Sequence, residues 1–326
     1  MKKRILSGIQ PSGKLHLGNY FGAVLNWKLL QDEFESYFMI ADLHALTTVY
    51  EDTSNVAEYK KQLVIDLLAS GVDPKKASLF YQSNVSAHSE CHLIFSMFTP
   101  LSWLERVPTY KEKKEEVSGK DLNTYGFLGY PVLQAADILL YEADFVPVGK
   151  DQLPHLELTR EIARRYNHLF GGDLKEPMPK LTNAPLLPGL DGRKMSKSYH
   201  NAVFLSDDPK TVQDKIMKMM TDPARKLRTD PGNADICPVF AYHGLLNTPG
   251  RCAEIKKDCA SAKIGCVDCK KEMLTHLQKQ LSPIYEARQV WVKKDAEIAD
   301  ILKTGEKAAR GVAEATLAKI KKQIKL

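Results

Sequence analysis

No window of this 326-residue chain approaches the roughly 20 consecutive apolar residues that a bilayer-crossing helix needs. The basic start Met1-Lys2-Lys3-Arg4 is followed by only a short apolar run before Pro11, so neither a membrane span nor a secretory leader is expected. Cysteine is scarce, at six residues, which excludes a disulfide-stapled scaffold and points to a reducing cytoplasm. Internal repeats and low-complexity tracts are also lacking, which removes solenoids and disordered linkers from consideration. One further absence is hidden by the net charge of +6. Before residue 270 there is no charge excess, with 33 side chains of each sign, while residues 270–326 hold thirteen Lys and Arg against seven Asp and Glu. Such a tail is either a solvated basic helix or an electrostatic footprint for nucleic acid.

What is present is a globular composition, 44% hydrophobic and 26% charged, at a length that suits two domains. Short apolar runs at 5–9, 37–40, 78–81 and 145–149 read as buried strands. Helical periodicity is expected from residue 19 to about 34 and over 54–70, 87–97, 131–142 and 151–167. Strands alternating with helices predict an α/β fold, a Rossmann-like parallel sheet whose ligands bind beyond the strand C-termini. Residues 168–206 are rich in Pro, Gly and Asn and are read without a strand. Beyond them the chain is expected to be all-helical, with Ile298, Ile301, Leu302, Ala309, Val312, Ala313 and Ile320 spaced as core contacts. The expected division is a catalytic domain at 1–206 and a helical domain at 207–326.

The first strand runs into Gln10-Pro11-Ser12-Gly13-Lys14-Leu15-His16-Leu17-Gly18-Asn19. Glycine lets a backbone approach a nucleotide, and a helix N-terminus offers free N–H groups to an anion. A turn glycine and a capping Asn produce the same pattern. Far downstream, Lys194-Met195-Ser196-Lys197-Ser198 follows Asp191-Gly192-Arg193. Two ammonium groups and two hydroxyls on a loop suit a polyphosphate, since the charges can follow negative charge onto departing pyrophosphate.

The two motifs together resemble the signatures of the class I aminoacyl-tRNA synthetases, the first with Asn19 in place of the usual final His. Ser7-Gly8-Ile9-Gln10-Pro11-Ser12-Gly13, Ala135-Ala136-Asp137-Ile138-Leu139-Leu140-Tyr141 and Val146-Pro147-Val148-Gly149-Lys150-Asp151-Gln152 are similar to the bacterial tryptophanyl subgroup. That resemblance implies a homodimer that uses ATP, with Mg2+, to activate L-tryptophan and then esterifies the terminal adenosine of tRNA(Trp). Its C-terminal helical domain would read the anticodon. It further implies His16, Asn19, Lys194 and Lys197 as catalytic. Gln10, Pro11, Ser12, Gly18, Asn19, Gly149, Lys150, Asp151, Leu186, Lys194, Met195, Ser196, Lys197 and Ser198 would line the ATP site, and Lys111 or Lys113 would reach the triphosphate.

Indole N–H is a donor and never an acceptor, so a slot that selects tryptophan needs a fixed acceptor at its far end. Asp137 suits that role, and the resemblance adds His44, Tyr130, Gln134 and Gln152. Gln134 is also familiar from tyrosyl enzymes of the same fold, whereas Leu6 stands where those usually place Tyr. A small-molecule adenylyltransferase and a catalytically silent RNA-binding paralogue are the readings of other classes. Finally, Cys237, Cys259, Cys266 and Cys269 offer four soft ligands, with a C-x2-C turn at 266–269 and Cys252 as a competitor. Zinc and iron-sulfur sites both use such sets. Resemblance to the subset of tryptophanyl enzymes with a C-terminal cluster implies [4Fe-4S].

Overall fold

The structure, a computed structural model, describes residues 2–107, 121–181, 187–197 and 199–326. Five parallel strands form one sheet: β1 (Arg4–Ile9), β2 (Glu35–Ile40), β3 (Ala77–Tyr81), β4 (Phe145–Val148) and β5 (Met178–Leu181), in the order β3-β2-β1-β4-β5. The α/β reading of the sequence holds. β2 is buried on nearly every residue, as a central strand covered on both faces should be. Register pairs Arg4 with Glu35 through Ile9 with Ile40, and Ile5 with Phe145 across the switch between β1 and β4. The winding reverses there, which opens a crevice beyond the strand ends.

β5 corrects the expectation of a strandless 168–206 segment. Pro179 pairs in register with Val146. A proline is tolerated there because β5 is an edge strand and needs hydrogen bonds on one side only.

The helices before the tail are α1 (Leu17–Asn19), which passes through a π turn at Tyr20–Val24 into α2 (Leu25–Glu33), then α3 (Asp42–Val49), α4 (Val56–Ala69), α5 (Ala87–Ser96) and α6 (Leu101–Glu105). They are followed by α7 (Tyr125–Leu140) and α8 (Leu153–Phe170). α7 begins six residues before the expected start at 131, because Thr124 accepts from the Phe127 N–H (3.2 Å) and Pro131 sits inside the helix. The tail is helical as expected: α9 (Pro209–Lys218), α10 (Pro238–Leu246), α11 (Pro249–Ala260), α12 (Cys266–Trp291) and α13 (Asp295–Ile324).

α13 packs directly on the sheet edge. Gly305 lies so close to β3 that a Cβ there would stand 2.1 Å from the Leu79 carbonyl oxygen. The Tyr166 hydroxyl reaches the Ile320 carbonyl (3.2 Å) and the Gln323 side chain (2.8 Å). Ile298, Leu302, Ala309, Ala313 and Ile320 are buried, with Ile301 and Val312 packed at the margin. Each of the two large apolar clusters mixes residues from before and after 206.

The tail charge is also not all on the outside. Lys270 is only 8% exposed and donates to the Met217 carbonyl (2.9 Å), and Arg288 is buried. Lys319 pairs with Asp173 (2.9 Å) and Glu142 (3.4 Å), and Lys321 with Glu90. Part of the excess therefore answers acidic groups of the first half of the chain.

Candidate active site

The loop after β1 folds back on itself before α1 begins. His16 caps the helix in an extended backbone conformation: its Nδ1 accepts from the Asn19 N–H (3.3 Å), and Asn19 Oδ1 accepts from the His16 N–H (3.2 Å). Neutral His16 must therefore carry its proton on Nε2, where it remains a donor. A Cβ on Gly18 would come within 3.0 Å of the imidazole, so glycine leaves the ring its place. Burial, reinforced by the charge of Lys197, depresses His16 to about 4, and the ring is neutral at pH 7.

Lys197 comes from the second loop and donates to Ser12 Oγ at 3.3 Å. Gly13 faces its stem, and the φ of +118° at Gly13 is one that glycine alone adopts readily. Burial lowers Lys197 to about 8. The loop is wound on Asn201, which is 2% exposed. Its Oδ1 accepts from the Ser196 N–H (2.8 Å), while Nδ2 donates to Asp191 Oδ1 (2.7 Å) and to the Lys194 carbonyl (3.2 Å). Met195 is buried beneath the loop and Lys194 is exposed. Gln10, Pro11, Ser12, Gly18, Asn19, Met195, Ser196 and Lys197 thus gather where β1 meets α1. Lys111, Lys113, Leu186 and Ser198 lie outside the described residues.

A cavity of about 300 Å³ opens along the crevice, lined by Leu6, Gly8, Gln10, Trp27, Met39, His44, Tyr130, Gln134, Asp137, Gly149 and Gln152 among others. Asp137, on α7, is 2% exposed and meets three donors. Oδ2 accepts from His44 Nε2 (2.8 Å), Oδ1 from His88 Nδ1 (2.7 Å), and Gln82 Nε2 reaches both oxygens (2.8 and 2.9 Å). Burial alone would raise the carboxyl; the bonds from His44 and His88 outweigh it and hold Asp137 at about 2. An ionised Asp137 fixes the tautomers of both rings as donors, which leaves His88 Nε2 to accept from the Tyr141 hydroxyl (3.0 Å).

A second relay orients the other side of the cavity. Gln152 Nε2 donates to Asp151 Oδ2 (2.8 Å), so its Oε1 accepts from His155 Nδ1 (3.0 Å), and His155 Nε2 accepts from the Tyr130 hydroxyl (2.9 Å). A Cβ at Gly149 would stand 2.5 Å from Asp151 Oδ1, so a side chain there would displace that exposed carboxylate; Lys150 is exposed beside it.

Gln82, His88, His155 and Asn201 escaped the sequence reading. Gln82 carried a usable signal: it is the first residue after β3, and strand ends are where such sheets place ligand contacts.

Away from this crevice, Cys237, Cys259, Cys266 and Cys269 line one small void with Thr221, Asp222, Arg225, Val239 and Ile264. Cys252 points elsewhere and donates to the His243 carbonyl (3.3 Å). Burial and the neighbouring thiols push Cys269 up to about 12. Among the described residues no group of three or more His, Cys, Asp or Glu side chains is arranged to hold a metal, so the structure does not bear out the expected metal site at these cysteines.

A family model described as tRNA synthetases class I (W and Y) matches residues 1–282. A tryptophan–tRNA ligase of Thermotoga maritima is 49% identical over 325 residues, covering 99% of each chain. Tryptophanyl-tRNA synthetase from Campylobacter jejuni, complexed with ADP and tryptophan, superposes with a TM-score of 0.86 at 32% identity, covering 99% of this chain and 100% of that one. Tyrosyl-tRNA synthetase from Archaeoglobus fulgidus, complexed with L-tyrosine, is similar in fold alone, with a TM-score of 0.69 at 23% identity over 88% of this chain and 90% of that one.

Proposed function

This chain belongs to the tRNA synthetases class I (W and Y) family, and from that premise we propose how its residues divide the work of a tryptophan–tRNA ligase. The enzyme activates L-tryptophan with ATP to tryptophanyl-AMP and pyrophosphate, then transfers tryptophan to the 3′-terminal adenosine of tRNA(Trp). The observation that carries the assignment of residues is the buried, ionised Asp137 at the wall of a largely apolar cavity. An acceptor that cannot donate suits indole N–H. Leu6, 2% exposed in the same cavity wall, offers a phenol hydroxyl nothing, which favours tryptophan over tyrosine.

Adenylate formation is an in-line displacement at the α-phosphate by the tryptophan carboxylate. An ionised carboxylate needs no general base, so the protein has to position the reactants and stabilise charge on the departing pyrophosphate. Tyr130, Gln134 and Gln152 line the slot and hold the ammonium and carboxylate groups of the substrate. His16 Nε2–H, Asn19, Lys194 and Lys197 act on the phosphates, and Gln10, Pro11, Ser12, Gly18 and 149–151 cradle the nucleotide. Mg2+ is expected to travel on the triphosphate oxygens and to supply charge neutralisation there.

Residues 207–326 serve as the anticodon-binding unit, and the functional enzyme is a cytoplasmic homodimer. No helix among the described residues is long and apolar enough to cross a membrane. The four cysteines fit a [4Fe-4S] cluster in the chemistry of their donor set. Four soft thiols converge on one void, and Gly232 permits a close approach, since a Cβ there would lie 2.6 Å from Cys259 Sγ. Such a donor set serves zinc as well as iron-sulfur sites, and what favours the cluster is the resemblance to the tryptophanyl subset that carries one. Protein purified without oxygen should be brown with equal iron and acid-labile sulfide, and stoichiometric zinc in colourless protein would overturn this assignment.

The assay for the whole reading is exchange of pyrophosphate into ATP, run separately with tryptophan and with tyrosine and followed by charging of tRNA(Trp). Tryptophan-dependent exchange is expected. Exchange with tyrosine alone, or with neither amino acid, would overturn it.

A further inference from the structure

Asp66 does not line the cavity, yet it touches both the first signature loop and the tail, and its charge reaches Lys197 of the second loop. It lies on α4 with no solvent exposure. Oδ2 accepts from the backbone N–H of Leu15 (3.2 Å), the residue before His16, and Oδ1 accepts from Arg288 Nε (2.7 Å) near the end of α12. Arg288 also donates through Nη2 to the Gln62 side chain.

Leu15 is held on its other side too. Its carbonyl accepts from the Leu205 N–H (2.9 Å), and the Leu17 N–H donates to the Val203 carbonyl (2.9 Å), so that His16 stands opposite Phe204 in a short antiparallel bridge. Residues 203–205 directly follow the lysine loop. The two phosphate-handling loops are therefore joined through backbone at Leu15 and Leu17, and the outer edge of that joint is pinned to Asp66.

α12 runs from Cys266 to Trp291 with Pro283 inside it, where one helical hydrogen bond is lost. At 1.5 Å per residue, Arg288 is roughly 33 Å along the axis from Cys266. One helix thus carries two wall residues of the cysteine-lined void at its start and the partner of Asp66 near its end.

A merely structural purpose explains this poorly. A buried ion pair desolvates two charges, and well-packed apolar residues usually hold two helices at least as firmly. The pair differs from an apolar contact in direction: it presents a fixed acceptor to one backbone N–H. We propose that Asp66 and Arg288 are positioning residues for amino-acid activation, holding the Leu15 backbone so that His16 faces the lysine loop, and coupling α12 to the ATP site. This rests on the synthetase reading above.

The test uses the full-length protein at temperatures below each variant's melting point. Arg288→Met should lower kcat for tryptophan-dependent pyrophosphate exchange by about 10- to 100-fold, the scale on which a small misplacement of reacting groups acts. Tryptophan Kd should stay within about twofold, because neither residue lines the slot. Since Arg288→Met strands a buried charge and risks misfolding, two companions accompany it. Arg288→Lys keeps the charge and should recover most of kcat. Asp66→Leu with Arg288→Met removes both charges and should regain much of the melting temperature while kcat stays low. A kcat that returns with the melting temperature in the double variant, or that never falls in Arg288→Met, makes the pair a structural contact and overturns the proposal. Unaltered protein without tryptophan-dependent exchange would overturn the synthetase reading and this inference with it.

Discussion

The two ends of the crevice, the proposed indole end and the proposed phosphate end, are built in opposite ways. At the indole end Asp137 already has its partners: His44, His88 and Gln82 occupy both oxygens, and almost no water reaches it. At the phosphate end the cations are largely uncommitted. Lys194 is exposed, and among the described residues Lys197 donates to Ser12 at 3.3 Å. Recognition has to discriminate before any bond changes, so its acceptor is prepaid in the fold. Charge on pyrophosphate exists only as the α-phosphate bond breaks, so the groups that meet it must remain available until then.

That contrast is broken most severely at Lys197. Lys197→Ala should slow adenylate formation on the order of 10²-fold or more, the scale of removing one preorganised group from a developing charge. Tryptophan affinity should barely change, because the ammonium lies at the other end of the crevice. Pre-steady-state formation of tryptophanyl-AMP and equilibrium tryptophan binding separate the two effects. A variant that lost affinity and kept its rate would reverse the assignment of the two ends.

Asp137→Asn attacks the other end and should do the opposite. The amide presents one oxygen and an NH2 group, so one of the His44 and His88 donors loses its acceptor and must change tautomer. Loss of a charge-assisted bond to indole, roughly 1–3 kcal/mol, should appear in tryptophan Kd and in kcat/KM for tryptophan. Calorimetry with tryptophan and with tyrosine checks it; unchanged affinity and unchanged preference would remove Asp137 from recognition.

The difference between the two ends also governed what could be read beforehand. The proposed phosphate handling is concentrated in two contiguous loops, so His16, Asn19, Lys194 and Lys197 stand out as short patterns, and strand-helix alternation places the first loop at the C-terminal end of a parallel sheet. The indole end is assembled across long separations: Gln82, His88 and Asp137 come from three elements and meet only through the fold. Asn201 and His155 act by orienting other groups and leave no local signature. β5 escaped because its Pro179 argues against a strand unless the edge position is known. In the basic tail, composition counts Lys270 and Arg288 as surface charge while packing places both inside.

The pH dependence of the phosphate end should be set by Lys197. Its ammonium is depressed to about 8, so it is charged below that pH and neutral above. In the free enzyme, kcat/KM for ATP should therefore fall as pH rises through about 8. Lys197→Arg should remove that limb even where it costs rate, because guanidinium stays charged. His16, neutral above about 4, adds no limb between pH 5 and 9. Its effect belongs to stability: with a folded value below the unfolded one of about 6.5, the native state gains nothing extra above 6.5 and loses stability as pH falls from there toward 4. An alkaline limb that persists in Lys197→Arg would assign it to another group.

The smallest effects are expected at the surface lysines of the tail, and they extend the same contrast between committed and uncommitted charge. Lys270 is bonded to Met217, Arg288 to Asp66, and Lys319 and Lys321 to acidic residues of the first half. Lys271 and Lys293 are exposed and remain able to meet phosphate. Lys271→Glu and Lys293→Glu should each weaken tRNA(Trp) binding by only a few-fold, about 0.5–1 kcal/mol for an exposed charge. Each should also lower the slope of log K against log salt by about 1 for a lost phosphate contact, with tryptophan activation unchanged. Lys270→Glu should instead lower the melting temperature, because a carboxylate would be buried against a carbonyl oxygen. Salt titrations of tRNA binding beside thermal melts distinguish these outcomes. Identical slopes in all three variants would mean that the positive excess of residues 270–326 serves to dock the tail on the catalytic half and leaves tRNA to other surfaces.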